Sequence, residues 1–194
     1  MAMAKKNEFR PDKSSTPLLS HLLLTKKQQK TVLKWSFYGL LLVVLSVLQD
    51  SLLSQVRLFG ATTEPVPCCI FLICILEGTQ NGSVFSLVAG LLYLFSGTAP
   101  GPYSMVAIVF LSVGVCMLRQ AFLQEHFSSA VLCVAVAMLL YVLVNFAFGL
   151  FLGLTIWSRL FGFILTALLS LLFVPVLYPV VKAIGAFGGN LWKE

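Results

Sequence analysis

The side chains able to do chemistry in this chain are few and scattered. Its two histidines, His21 and His126, both lie outside the apolar runs, so neither an H-E-x-x-H helix nor a histidine–carboxylate pair can form within them. Its five cysteines, Cys68, Cys69, Cys74, Cys116 and Cys133, all fall within apolar runs, odd in number and without a C-x-x-C pair. Zinc binding and disulfide exchange need such pairs. The pattern fits instead the habit of free cysteine to pack as a small apolar residue, and the adjacent Cys68 and Cys69 cannot face one direction on a helix. No serine has a histidine or lysine placed at membrane depth to activate it, and P-loop glycine spacing is absent. The residues therefore predict a protein without catalytic turnover, cofactor or metal.

What remains are polar groups that an apolar surrounding must accommodate. Asp50 and Glu64 sit at or beyond the far end of the first apolar run, and Glu77 closes the second. A carboxylate at a bilayer centre costs on the order of 3 kcal/mol, and none of the three is forced there. Asn145, one helical turn after Tyr141, does fall near the middle of the fifth run. An amide at that depth predicts a helix-to-helix hydrogen bond, worth about 0.6 to 2 kcal/mol. Gly149 and Gly153 form a G-x-x-x-G that admits a close neighbour, and positions 145, 149 and 153 follow one stripe of a helix. The expectation is a packing seam with Asn145 bonding along it.

The elements that must position these groups are membrane helices. With 59% hydrophobic and 10% charged residues and a mean hydropathy of +0.96, the chain carries more apolar surface than one soluble core of its length can hide. The apolar runs are roughly 35–53, 67–76, 83–95, 103–118, 129–154 and 160–184. A crossing helix needs about 20 residues. The fifth and sixth reach that length, the first and fourth do so with their flanks, and the second and third fall short. Those two are either short spans or one re-entrant hairpin turning at Glu77-Gly78-Thr79-Gln80-Asn81-Gly82. The fold class expected is an all-α integral membrane protein of about six transmembrane helices, the second and third short.

Orientation follows from lysine and arginine. Residues 1–34 form a basic tail with Lys5, Lys6, Arg10, Lys13, Lys26, Lys27, Lys30 and Lys34, which predicts a cytoplasmic N-terminus. Even numbers of crossings then put Arg119 and the short C-terminal segment 185–194 inside, leaving Arg57 and Arg159 outside. A re-entrant hairpin gives later helices the same orientation, so charge bias does not separate the two arrangements. Within the tail, Pro17 to Leu24 followed by Lys26, Lys27 and Lys30 suits an interfacial helix on anionic lipid or a disordered leader. The +6 net charge is thereby explained by the membrane, without nucleic acid. The first apolar run is span-length and runs into Gln49-Asp50-Ser51 rather than a small-x-small cleavage site, which predicts an anchor that stays.

The order of features from Val44 to Ile184 resembles the MreD family of rod shape-determining proteins. The residues that carry the resemblance are the first span ending in Gln49-Asp50-Ser51-Leu52-Leu53, the proline-entered segment at Pro67, the glycine turn through Gly78 and Gly82, and Ala89 to Gly101, which is similar to the family's apolar third helix running into S-G-x-x-x-G. Tyr93 stands where many members carry an aspartate, and Pro67-Cys68 replaces a proline-aspartate. The resemblance implies a non-catalytic scaffold of the cell-elongation complex in the bacterial cytoplasmic membrane. It further implies partners of four kinds: an MreC-like protein, an MreB-like filament, a RodA-type glycosyltransferase and a penicillin-binding transpeptidase. Tyr93, Asn145, Gly149 and Gly153 are the candidate packing or partner contacts. The fold so implied is similar to that of the substrate-binding subunits of energy-coupling-factor vitamin transporters, which makes such a subunit the alternative. Against it, the first helix lacks the A-x-x-x-A with which those subunits dock, and the outer turns are too short to furnish a vitamin pocket.

Overall fold

A computed structural model of the chain describes residues 26–53, 55, 61–122 and 127–187. Most of the basic tail, His21, Arg57, His126 and 188–194 lie outside the described residues. Among the described residues the regular elements are all helical: α1 Lys26–Leu48, continued by a π-helical turn Gln49–Leu53, α2 Pro65–Glu77, α3 Thr79–Phe95, α4 Pro102–Phe122, α5 Phe127–Phe151, α6 Leu160–Leu171 and α7 Val174–Phe187. Helix α1 with its π-turn and helix α5 are each long and apolar enough to cross a membrane. Helices α6 and α7, bent by 47° at the break between them, make a third if taken as one span.

The bend has a local cause. Pro175 has no N–H to give to the carbonyl one turn back, and its ring crowds that carbonyl, which favours a kink or break here. Leu172 and Phe173 instead donate to Leu169 and Ser170 three residues back, and α7 restarts at Val174. At the other end of the chain, Lys26 to Lys34 are the first turns of α1 itself, so the boundary expected at residue 34 falls inside a continuous helix.

Helix α2 is the pillar of the molecule. Every residue from Pro65 to Leu76 is buried, as expected of a helix apolar on all sides, and α2 touches each of the other six helices. Its buried N-terminus leaves few amides unpaired. Pro65 and Pro67 carry no N–H, the Val66 N–H donates to Gln49 Oε1 at 3.3 Å, and the Glu64 N–H donates to Ser170 Oγ at 2.7 Å.

Between α2 and α3 the expected six-residue turn shrinks to one residue. Gly78 takes φ +88°, and Thr79 to Gly82 already belong to α3. At Gly82 the two helices are so close that a Cβ would lie 3.0 Å from the Cys74 carbonyl oxygen and 3.1 Å from its Cα.

Candidate functional site

Two groups of polar residues lie at opposite ends of α2, and α1 runs past both. At one end Glu77 receives the Lys34 Nζ on one carboxylate oxygen and the Tyr38 hydroxyl, at 2.7 Å, on the other. Lys34 and Tyr38 are neighbours one helical turn apart on α1. The Glu77 side chain is 3% exposed and that of Lys34 10%. Trp35, Tyr38 and Phe85 close around the pair with ring centroids 5.5 to 5.9 Å apart. This cluster is complete: charge meets charge, and the aromatic shell excludes water from it. Its chemistry is structural.

The other end is not closed. Gln49, in the π-turn, accepts from Val66 and reaches the Tyr93 hydroxyl at 3.5 Å. Tyr93, buried on α3, and Tyr141, buried on α5, lie within electrostatic reach of each other and of Glu64. From Tyr141 a cavity of about 590 Å³ opens between α5 and α6, with Asn145, Glu64, Thr62, Thr166 and Arg159 among its walls. Asn145 is 3% exposed and Tyr141 fully buried. Among the described residues neither the Tyr141 hydroxyl nor the Asn145 Oδ1 has a hydrogen-bond partner of good geometry, although Tyr93 and Asn145 lie close to that hydroxyl. Leaving such groups unpaired in a buried setting costs on the order of 1–3 kcal/mol each.

The sequence of α6 explains its wall. Thr166 and Ser170 satisfy themselves one turn back, on the carbonyls of Gly162 and Thr166 at 3.0 and 2.7 Å. Arg159 lies at the rim, exposed, on a single 3-10 turn, Trp157–Arg159, that leads into α6. In the loop ahead of α2, burial pushes the Glu64 carboxyl up to about 7.

The four residues singled out from sequence are thus divided. Tyr93 and Asn145 come together, joined through Tyr141. Among the described residues Asn145 does not bond to a neighbouring helix: its Nδ2 donates to the Tyr141 carbonyl of its own helix at 3.0 Å, and its Oδ1 is buried without a partner in a residue that lines the cavity. Gly149 and Gly153 stand apart. Gly153 lies beyond the last turn of α5 with φ +71°, ending the helix instead of lining it. A Cβ on Gly149 would meet Thr155 Oγ1 at 3.2 Å, so Gly149 makes room for the chain's own return. The common stripe of 145, 149 and 153 therefore ends with the helix. Sequence reasoning passed over Gln49, Ser170 and Arg159 as site residues. Gln49 carried a signal, an amide at the end of an apolar run.

Searches against family models, curated proteins and solved structures find no match to this chain. The site must be read from its own geometry.

Proposed function

We propose that this protein is a non-catalytic membrane scaffold of the bacterial cell-elongation complex, supporting cell shape and lateral peptidoglycan synthesis, as its resemblance to the MreD family implies. The observation that carries the reading is the packed centre. A pore would need a conduit where the wholly buried α2 stands, whereas the outward faces of α1, α4 and α5 carry exposed Leu40, Val47, Phe110, Leu132 and Leu140. Such faces suit lipid and the helices of partner proteins. In this reading the chain crosses the cytoplasmic membrane six times with both termini inside. Lys34, at the inner end of α1, meets Glu77 at the far end of α2. Gln49, at its outer end, meets both the start of α2 and the last turn of α3. That pairing supports two short spans over a half-depth hairpin.

Depletion from a rod-shaped host should give rounded, swollen cells, and the purified protein should carry an MreC-like partner with it, together with MreB-like, RodA-type and penicillin-binding components. Unchanged shape and unchanged lateral wall insertion on depletion would refute the proposal.

One observation favours the alternative, a substrate-binding subunit of an energy-coupling-factor vitamin transporter. The outer turns are short, yet Thr62, Glu64 and Arg159 from them join Tyr141, Asn145 and Thr166 of α5 and α6 around a cavity at that end. Loss of vitamin uptake on depletion, with shape unaffected, would establish the alternative in place of the scaffold.

A further inference from the structure

We propose that the cavity between α5 and α6 binds a primary ammonium group carried on a phosphate ester, the headgroup chemistry of an aminophospholipid, with the ammonium on Glu64 and Asn145 and the phosphate on Arg159. The inference rests on the cavity alone and stands whether or not the protein is an elongation scaffold.

The polar groups inside the cavity are ordered by sign. At depth lie the Glu64 carboxyl and the Asn145 Oδ1, which is unpaired among the described residues while one N–H of its amide donates to the Tyr141 carbonyl. The Tyr141 hydroxyl beside them can give or take one bond. At the mouth is the Arg159 guanidinium, a donor only. A phosphate or carboxylate pushed to the floor would face Glu64 and the Asn145 oxygen, and like signs at such range repel. An ammonium, with N–H groups and no lone pair, satisfies those acceptors and lets its ester's phosphate rest against the fork of Arg159. The raised Glu64 carboxyl agrees: no cation pairs with it among the described residues, and an arriving ammonium would hold it ionised.

The surroundings name the carrier. Phe151, Leu154, Ile156, Trp157 and Phe161, on the segment that leads to and past Arg159, are all more than half exposed. Large apolar groups with a tryptophan and an arginine among them mark the membrane–water boundary, where headgroups lie. The same ammonium-phosphate chemistry is found in a free solute, and the test separates the two sources.

The purified full chain is reconstituted in vesicles of phosphatidylcholine doped with phosphatidylethanolamine or phosphatidylglycerol, and lipid retained after detergent extraction is counted by native mass spectrometry. Phosphatidylethanolamine should be retained about tenfold over both others, the scale of one charge-assisted hydrogen bond. Phosphatidylcholine has the charge without N–H, and phosphatidylglycerol the phosphate without the amine. Glu64→Gln should erase the preference, and Arg159→Gln should lower phosphatidylethanolamine retention by roughly threefold or more. Displacement of the lipid by glycerophosphoethanolamine at equal concentration supports the site and assigns it to a free solute; failure to displace supports the lipid. Equal retention of the three lipids by the unaltered protein overturns the proposal. So does an undiminished preference in Glu64→Gln. If that variant fails to fold, the comparison of phosphatidylethanolamine with phosphatidylcholine in the unaltered protein decides.

Discussion

Replacing Lys34 by methionine should destabilise the protein more than any other single change at the Glu77 end of α2. The variant keeps the aliphatic stem against Trp35 and removes the charge that Glu77 faces. Glu77 is then left with the Tyr38 hydroxyl as partner, in a setting where its side chain is 3% exposed. Breaking a buried ion pair from one side costs about 3–5 kcal/mol, because the charge left behind has lost its solvent and its partner together. Glu77→Gln should cost less, about 1–2 kcal/mol: the amide oxygen still accepts from Tyr38, and Lys34 has a flexible stem that can carry its ammonium to the membrane surface. The double variant Lys34→Met with Glu77→Gln should cost at least about 1 kcal/mol less than the two single costs added. The assay is thermal unfolding of the detergent-purified protein. At roughly 2–4 °C per kcal/mol for a chain of this size, Lys34→Met should lower the midpoint by about 6 °C or more. A midpoint within about 1 °C of the parent, or strict additivity in the double variant, would refute the idea that Glu77 depends on Lys34.

The close approach at Gly82 makes Gly82→Val a severe lesion, since added atoms meet backbone of α2 that cannot step aside; a cost of about 2–3 kcal/mol is expected in the same assay, and a neutral result would mean α3 shifts freely. Gly149→Ala should cost under about 1 kcal/mol, because its neighbour is the Thr155 side chain, and partner recovery should be unaffected; loss of a partner would place Gly149 at an intermolecular seam. A cysteine at Asn81, in a chain stripped of its five native ones, should react with an impermeant maleimide from the cytoplasmic side; labelling from outside alone would favour the re-entrant hairpin. The Glu64 carboxyl, raised from 4.5 to about 7 on folding, contributes stability that is complete below pH about 4.5 and lost as pH rises through 7. Midpoints should therefore fall across that window in the parent and stay flatter in Glu64→Gln, and identical slopes would remove Glu64 as the cause.

Patterning along the chain revealed the helices far better than it revealed the site. Apolar runs and their breaks are local, so α4 and α5 fall within a few residues of expectation, and the glycine between α2 and α3 announces a turn. The pillar role of α2 was not foreseen: its shortness suggested a short span or a hairpin, although a run with no polar face permits burial on every side. Glu77 was visible as a carboxylate ending an apolar run, but its partner lies 43 residues away on α1, and no spacing rule spans that distance. The same holds for Ser170, which serves a backbone N–H 106 residues earlier. Asn145 was singled out for its place mid-way along an apolar run, and it is buried. Its partner was inferred from glycine spacing, and that inference assumed the helix would continue through Gly153, where the chain takes a left-handed turn instead.

The shortness of α2 and the position of the cavity have a common physical origin. Thirteen residues span about 20 Å, against about 30 Å of hydrocarbon. With α2 as a short span, as proposed above, its Glu77 end lies at the level of Lys34, just ahead of the apolar stretch of α1, and the missing length falls at the opposite end, where Glu64 and the loop before it begin the helix. Irregular backbone at such a place persists only where protein covers it or a polar cavity reaches it. Here both occur: Gln49 and Ser170 take the amides, and the space between α5 and α6 brings a polar lining to Glu64. A longer α2 would carry Glu64 out past the cavity and fill its mouth. In the proposed topology the short helix leaves Glu64 and the buried Asn145 beside a cavity rimmed by Arg159, where the proposed ammonium ligand would sit.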